Sequence, residues 1–337
     1  MRRVYLEAVS ESRVYFYEVF AEEQEALQRR MSSRVAAAFT DKTIQEEGMP
    51  DPPAGCISIR TQSCVPERWL NQLDGILSRS TGYDHLVGLP GTRGGGRPHC
   101  ACLPSYCSRA VAEQAVLLWM ALLRRLPAQR RAFQTFHRDG LTGFECRGKT
   151  LAVIGVGHIG IEIVRLGEAL GMSVLGVDID QRHAGVRYLP PDQALPRADV
   201  IVCAMNLTTV NRGYFSYDVL KTSKQGAVFI NIARGELAPT KDLLRLCDEE
   251  WLGGVGLDVY DGEAHLATAL RGHRPPTAPE AQAALDLAAR DDVILTPHNA
   301  FNTREALDRK ADLTMAQLEA FLDTGRFKWP IEGGNKV

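Results

Sequence analysis

Three short apolar runs in the second half of the chain each lead directly into groups that can do chemistry. VFINI is followed by Ala233-Arg234-Gly235, GVGLDV carries Asp258 and leads to Asp261 and Glu263, and VILT is followed by Pro297-His298-Asn299-Ala300. Taken singly, each has an ordinary explanation. A histidine after a strand is usually a loop residue, an Arg-Gly is usually a solvated turn, and acids usually face water. Taken together they form a set. The guanidinium of Arg234 can bind a carboxylate bidentately and polarise the carbonyl beside it. His298 can give or take a hydroxyl proton, because imidazole titrates near neutrality. An acid such as Glu263 can fix the ring and favour its protonated form. The set suits exchange of a hydride between a carbinol carbon and a nicotinamide.

Such groups act in concert only if the runs before them are strands of one sheet. In an open parallel sheet, ligands sit beyond the carboxyl ends of the strands. Residues 149–178, KTLAVIGVGHIGIEIVRLGEALGMSVLGVD, supply the unit around which such a sheet is built. Leu151 to Ile154 reads as a buried strand. It runs into Gly155-Val156-Gly157-His158-Ile159-Gly160, a G-x-G-x-x-G. Ile159, Ile163, Leu166 and Leu170 then fall on one helical face, and Gly171 closes the helix. A second strand, Ser173 to Val177, ends at Asp178. This is the dinucleotide-binding pattern. Gly155 permits the tight turn, Gly157 lets the backbone approach a pyrophosphate, and Gly160 lets helix and strand pack closely. The helix N-terminus at His158 and Ile159 offers free N–H groups to the phosphates. Asp178 accepts from both ribose hydroxyls and repels a 2′-phosphate, so NAD is expected rather than NADP.

The rest of the chain alternates strand and helix patterns. Val14–Phe20, Val35–Phe39, Cys56–Ile59 and Gly75–Leu77 read as strands, with a helix over AEEQEALQRRM, so the first 104 residues or so form a smaller α/β domain. GTRGGGRP, at 91–98, reads as a flexible surface turn. Ala110 to Leu126 reads as one long buried helix. Val200–Ala204, Ala227–Ile232, Gly254–Val259 and Val293–Thr296 complete a second parallel sheet, and a last helix over Arg304–Leu322 is placed to return to the first domain.

At 337 residues two domains are expected, and 45% hydrophobic with 24% charged residues is ordinary for a globular enzyme. A net charge of −2 provides no footprint for nucleic acid or an anionic membrane. No apolar run reaches membrane-spanning length, and Glu7, Glu11 and Glu18 break the N-terminal segment as a signal peptide, so the cytoplasm is expected. Eight cysteines do not make a disulfide scaffold at this length. The cluster His99-Cys100-Ala101-Cys102, with Cys107 behind it, lacks the second pair that zinc sites use, so no metal is expected.

Several motifs carry a specific likeness: RSTGYDHL (79–86), LPSYCSRAVAEQAV (103–116), GVGHIG with Asp178, INIARGEL (230–237), GVGLDVYDGE (254–263) and TPHNAF (296–301). Through them, nearly the whole chain resembles the D-isomer-specific 2-hydroxyacid dehydrogenases, with its GHIG, DVYDGE and PHxAF sequences nearest the D-lactate dehydrogenase branch. The resemblance implies that His298 is the acid/base, Glu263 its paired acid and Arg234 the substrate arginine. It places Asp258 beside the nicotinamide, with Ala233 and Asn206 also lining the cofactor. It assigns the backbone of Thr81 and Gly82 to the substrate carboxylate, and Tyr106 and Phe301 to the pocket wall.

The resemblance also implies two Rossmann-like α/β domains with doubly wound parallel sheets. Residues 1–104 and 302–337 form the substrate domain, 105–301 form the inserted NAD-binding domain, and a homodimer forms through the latter. A small 2-oxoacid, pyruvate or a near relative, is the expected partner. Hydroxypyruvate, glyoxylate, a bulkier 2-oxoacid or phosphite would use the same trio, and one branch of the family is a non-enzymatic NAD-sensing regulator. Cys107 and Ser108 stand where the family often has Ser-Pro, and Asn206 replaces a usual proline. The stretch from Glu263 to His298 is long and rich in Pro and Ala, compatible with an insertion flanking the site or with a disordered surface loop.

Overall fold

The computed structural model describes residues 13–89 and 98–331. The chain divides into two compact units, one of Met1–Tyr106 with Asn302–Val337 and one of Cys107–Phe301. The N-terminal segment and most of the glycine-rich 91–98 stretch lie outside the described residues.

In the first unit, β1 (Val14–Phe16), β2 (Ala37–Phe39), β3 (Cys56–Ile59), β4 (Gly75–Ser78) and β5 (His99–Ala101) form one sheet in the order β2-β1-β3-β4-β5, every pairing parallel. β1, β3 and β4 are buried at every position, which is why they read as continuous apolar runs rather than as alternations. The β5 strand was hidden in the sequence because it is only three residues of a His-Cys-Ala stretch. Its pairing with β4 makes a strand of what read as a thiol cluster, and all eight cysteines are free.

The helix α1 (Ala21–Arg30) begins with Glu22 and Glu23 and ends with Arg29 and Arg30, charges that suit its dipole. It packs with the last helix, Arg304–Thr324, which belongs to this unit. Exposed pairs such as Arg29–Asp308 and Arg30–Asp312 decorate that contact and contribute little. Beneath them Glu23, Arg79 and Lys310 are buried together: Glu23 Oε1 lies 3.0 Å from Arg79 Nε and 2.6 Å from Lys310 Nζ.

In the second unit, β6 (Thr150–Ile154), β7 (Ser173–Val177), β8 (Val200–Cys203), β9 (Ala227–Asn231), β10 (Leu252–Leu257) and β11 (Val293–Leu295) form a parallel sheet in the order β11-β10-β9-β8-β6-β7. The chain leaves β6 to one side for β7 and returns to its other side for β8. This reversal is the switch point at which such sheets bind ligands. Ile154, Ile201, Phe229 and Leu257 lie in the core behind it.

The expected helix over 110–126 is α2 (Ser108–Leu123), which ends three residues earlier than expected, and a second helix, α3 (Leu126–Ala132), follows it. Pro127 cannot donate to a helical ladder and clashes with the turn before it, so the chain breaks at Arg125, which has φ +54°, and restarts with the proline in the new first turn. Ser108 occupies the first turn of α2, where a proline would also fit. The longer helices that follow include α4 (His158–Ala169), α5 (Thr240–Asp248) and α6 (Glu263–Arg271). The Pro/Ala-rich stretch is ordered as α6 and α7 (Pro279–Ala288), with Leu266, Ala281, Ala284 and Leu287 buried in the core. Among the described residues no helix is long and apolar enough to cross a membrane.

Candidate active site

The glycine turn joins β6 to α4 and abuts the loop after β8. Gly155 has φ +92°, and a Cβ there would lie 2.6 Å from both Met205 N and Met205 Cα. A Cβ on Gly160 would lie 2.0 Å from the Gly155 carbonyl oxygen, so helix and turn can meet only through a glycine. A Cβ on Gly157 would meet nothing within 4 Å. Its glycine is therefore not required by the fold, and the open space beside it is what a pyrophosphate needs. Asp178 Oδ2 accepts Val156 N–H at 2.6 Å and Oδ1 accepts Asp180 N–H at 2.8 Å. Each oxygen keeps a lone pair for a ribose hydroxyl. These features fit a dinucleotide held by Gly155, Gly157, His158, Ile159, Gly160 and Asp178. Just beyond Asp178, Ile179 is fully exposed, and Val210, in the loop after β8, is 91% exposed. Asn206 lies near the start of that loop, its carbonyl accepting from the Asn211 side-chain amide at 2.8 Å.

The reactive groups stand at the ends of three neighbouring strands, β9, β10 and β11. Arg234 follows β9. Its loop is shaped by the buried Asn231, whose side chain accepts Ala233 N–H at 3.1 Å and donates to the Arg234 carbonyl at 2.9 Å. Glu263 is the first residue of α6, where an acidic side chain suits the helix dipole. His298 follows β11, and its Nδ1 lies 2.7 Å from Glu263 Oε1. Both side chains are about four-fifths buried, so little water competes for this contact. With Nδ1 engaged, Nε2 is the nitrogen left for a substrate.

His298 has φ +50°, a left-handed conformation that costs on the order of 1–3 kcal/mol for a residue with a Cβ. The surrounding hydrogen bonds hold it there. Asp258, 1% exposed, receives the Thr296 hydroxyl at 2.6 Å, Asn299 N–H at 2.8 Å and Ala300 N–H at 2.9 Å. Burial pushes the Asp258 carboxyl above its ordinary value, while His298 and these donors pull the other way. Asp258 thus holds the Thr296 side chain before His298 and the backbone of Asn299 and Ala300 after it. Phe301 closes the same segment and is 7% exposed.

Thr81, Gly82 and Tyr106 belong to the first unit. The Ser78 hydroxyl lies 2.6 Å from that of Ser80, which donates to the Gly82 carbonyl at 2.7 Å, so the turn after β4 is tied down. Thr81 Oγ1 is buried without a hydrogen-bond partner. The Tyr106 carbonyl accepts from Arg309 at 2.8 Å.

The sequence and the fold have known counterparts. The family model "D-isomer specific 2-hydroxyacid dehydrogenase, NAD binding domain" matches residues 116–300. The chain belongs to that family. It is 31% identical over 222 residues to D-lactate dehydrogenase of Escherichia coli, covering 64% of this chain and 67% of that one. It is 28% identical over 260 residues to glyoxylate reductase of Pyrococcus furiosus, covering 73% and 72%. A crystal structure of D-lactate dehydrogenase from Aquifex aeolicus, complexed with NAD and lactic acid, superposes with a TM-score of 0.80 at 26% identity, over 96% of this chain and 100% of that one. As a family member the chain is an NAD-dependent oxidoreductase acting on a CH–OH donor, with the two Rossmann-like domains that the sequence implied.

Asn231, Thr296 and Tyr260 were not singled out in the sequence of this dehydrogenase. Asn231 and Thr296 are each one polar residue at the end of an apolar run, a weak signal. Tyr260 sits inside a recognised motif, but its partner is 36 positions away and visible only in three dimensions.

Proposed function

We propose that the enzyme reduces a small 2-oxoacid, pyruvate or a near relative, to the D-2-hydroxyacid, with His298 as proton donor. The observation that carries this reading is the 2.7 Å contact between His298 Nδ1 and Glu263 Oε1, made beyond the ends of β11 and β10, the latter paired with β9, which leads to Arg234. When bound, NADH supplies the hydride. Arg234 holds the substrate carboxylate and polarises the adjacent carbonyl, drawing charge toward the oxygen. Nε2 of His298 gives its proton to that oxygen as charge develops. Glu263 accepts the Nδ1–H throughout, fixing the ring's orientation and leaving Nε2 to carry the transferred proton. In the reverse direction the neutral ring takes the hydroxyl proton. Thr81 and Gly82 are assigned the substrate carboxylate through their N–H groups, and Tyr106 and Phe301 the apolar end. Ala233, Asn206 and Asp258 are assigned to the nicotinamide side of the cofactor, and Ile179 with Val210 offers apolar surface suited to an adenine.

The likeness to a glyoxylate reductase favours a second reading, in which glyoxylate or hydroxypyruvate is the preferred acceptor. The two are separated by following NADH absorbance with pyruvate, glyoxylate, hydroxypyruvate and a branched 2-oxoacid side by side. The highest kcat/KM for pyruvate supports the first reading. No oxidation with any of the four, despite NADH binding, would sink both.

A homodimer through the second unit belongs to the same proposal. Leu117, Met120, Leu126, Phe133, Phe136 and Phe144, all on or after α2 and α3, are exposed large hydrophobic residues within one stretch of that unit. Exposed apolar surface concentrated in this way marks an interaction site.

A further inference from the structure

We propose that Tyr260 is a positioning residue that fixes Arg234, Glu263 and His298 with respect to one another. The inference rests on the reading of that trio given above and assigns a role to a residue that touches neither substrate nor cofactor in it. Tyr260 is 7% exposed, with its ring in the core of the second unit. Its phenol lies 2.6 Å from the Thr296 carbonyl oxygen and 3.3 Å from that of Leu257. One hydroxyl has one proton, so the shorter contact takes it. The Thr296 carbonyl also accepts the N–H of His298, at 2.9 Å. The phenol therefore anchors the very carbonyl that closes the turn holding His298 at φ +50°.

The backbone of Tyr260 reaches the other two groups. Its carbonyl accepts the Glu263 N–H at 3.2 Å, which sets the first turn of α6. A Cβ on Gly235 would lie 1.8 Å from the Tyr260 carbonyl carbon, 2.0 Å from its oxygen and 2.4 Å from Asp261 N. The Arg234-Gly235 turn thus sits directly on the Tyr260–Asp261 peptide. One rigid residue touches the loop of each catalytic group, and only the hydroxyl tie to His298 depends on its being tyrosine and not phenylalanine.

Tyr260→Phe keeps the ring in the core and deletes that tie. Misplacement of an acid/base group by a fraction of an ångström costs about tenfold or more in kcat. The expected result is a kcat lowered by at least that factor, with NADH affinity within about twofold of wild type, because the glycine turn is untouched. A readout independent of turnover is the proton NMR signal of the imidazole Nδ1–H, which a short bond to a carboxylate moves far downfield. It is assigned by its loss in His298→Gln. In Tyr260→Phe it is expected to vanish or move upfield, and in Tyr217→Phe, where an exposed phenol loses its 2.8 Å bond to Glu249, it stays. A signal unmoved in Tyr260→Phe, or absent from the wild type, overturns the proposal. Wild-type failure to turn over any 2-oxoacid sinks the functional reading instead, and the resonance still decides the role of Tyr260.

Discussion

At the scale of the residue, the site depends on groups whose chemistry is plain from their type and whose placement is not. Arg234, Glu263 and His298 were legible because each follows an apolar run. Asp258 was legible only as an acid near a nicotinamide. Its three hydrogen bonds around His298 arise where β10 and β11 lie side by side, and pairing between strands cannot be read from either strand alone. Asp178 was fully legible, since its place at the end of β7 follows from local pattern. Asp178→Ala removes both the ribose acceptor and the charge that repels a 2′-phosphate. It is expected to lower kcat/KM for NADH about tenfold and to narrow the preference over NADPH by at least as much. Initial rates with the two cofactors check this, and equal wild-type rates with both would refute the role of Asp178.

At the scale of the element, the glycine turn separates what the fold needs from what the cofactor needs. Gly160→Ala drives a Cβ into the Gly155 carbonyl, a clash with backbone that cannot be relieved by a side-chain rotation. It is expected to cost about 1–3 kcal/mol in stability, measured by urea unfolding, and to weaken NADH binding as well. Gly157→Ala adds a Cβ to open space. It is expected to leave the unfolding curve in place while weakening NADH binding by tenfold or more, measured by fluorescence titration. Loss of stability in both variants would contradict the division. Strand and helix positions in this unit were legible from periodicity. The break at Arg125 was less so, because residues 110–126 hold no proline and the one that restarts the helix, Pro127, lies just beyond them. The ordering of α6 and α7 was also not legible, since Pro/Ala-rich composition fits a loop as well as short helices.

At the scale of the whole molecule, the return of the last helix to the first unit rests on a buried group of two cations and one anion. Burial alone would raise the Glu23 carboxyl, but Lys310 and Arg79 together outweigh it and hold the carboxyl below its ordinary value. Burial pulls the Lys310 ammonium down, with Glu23 opposing and Arg60 and Arg79 adding to the fall. The lowered carboxyl contributes stability that is present above the unfolded value of about 4.3 and is lost as pH falls through the folded one. The lowered lysine has the same sign, at higher pH. Between its folded value and the unfolded value of about 10.4, the unfolded chain holds the extra proton, so stability rises with pH there.

Glu23→Gln leaves two buried cations without a counter-charge and is expected to destabilise by about 3–5 kcal/mol. Lys310→Met leaves the Glu23–Arg79 pair intact and is expected to cost far less and to abolish the alkaline rise. Urea unfolding across pH checks both, and a Lys310→Met loss as large as that of Glu23→Gln would contradict the account. For the dimer, Phe133→Asp with Leu117→Asp is expected to give a monomer by analytical ultracentrifugation, and an unchanged mass would place the interface elsewhere. The apolar residues on that surface were visible in the sequence, but not that they were exposed, because α2 read as buried throughout.

The central claim is that His298, held by Glu263, moves the substrate proton at a site where NADH binds independently. It is tested most directly by His298→Gln, comparing kcat/KM for the preferred 2-oxoacid and the dissociation constant for NADH in the same preparation. The account predicts a kcat/KM lower by about 100- to 10,000-fold with an NADH dissociation constant within about twofold of wild type. Turnover retained within about tenfold of wild type would contradict it.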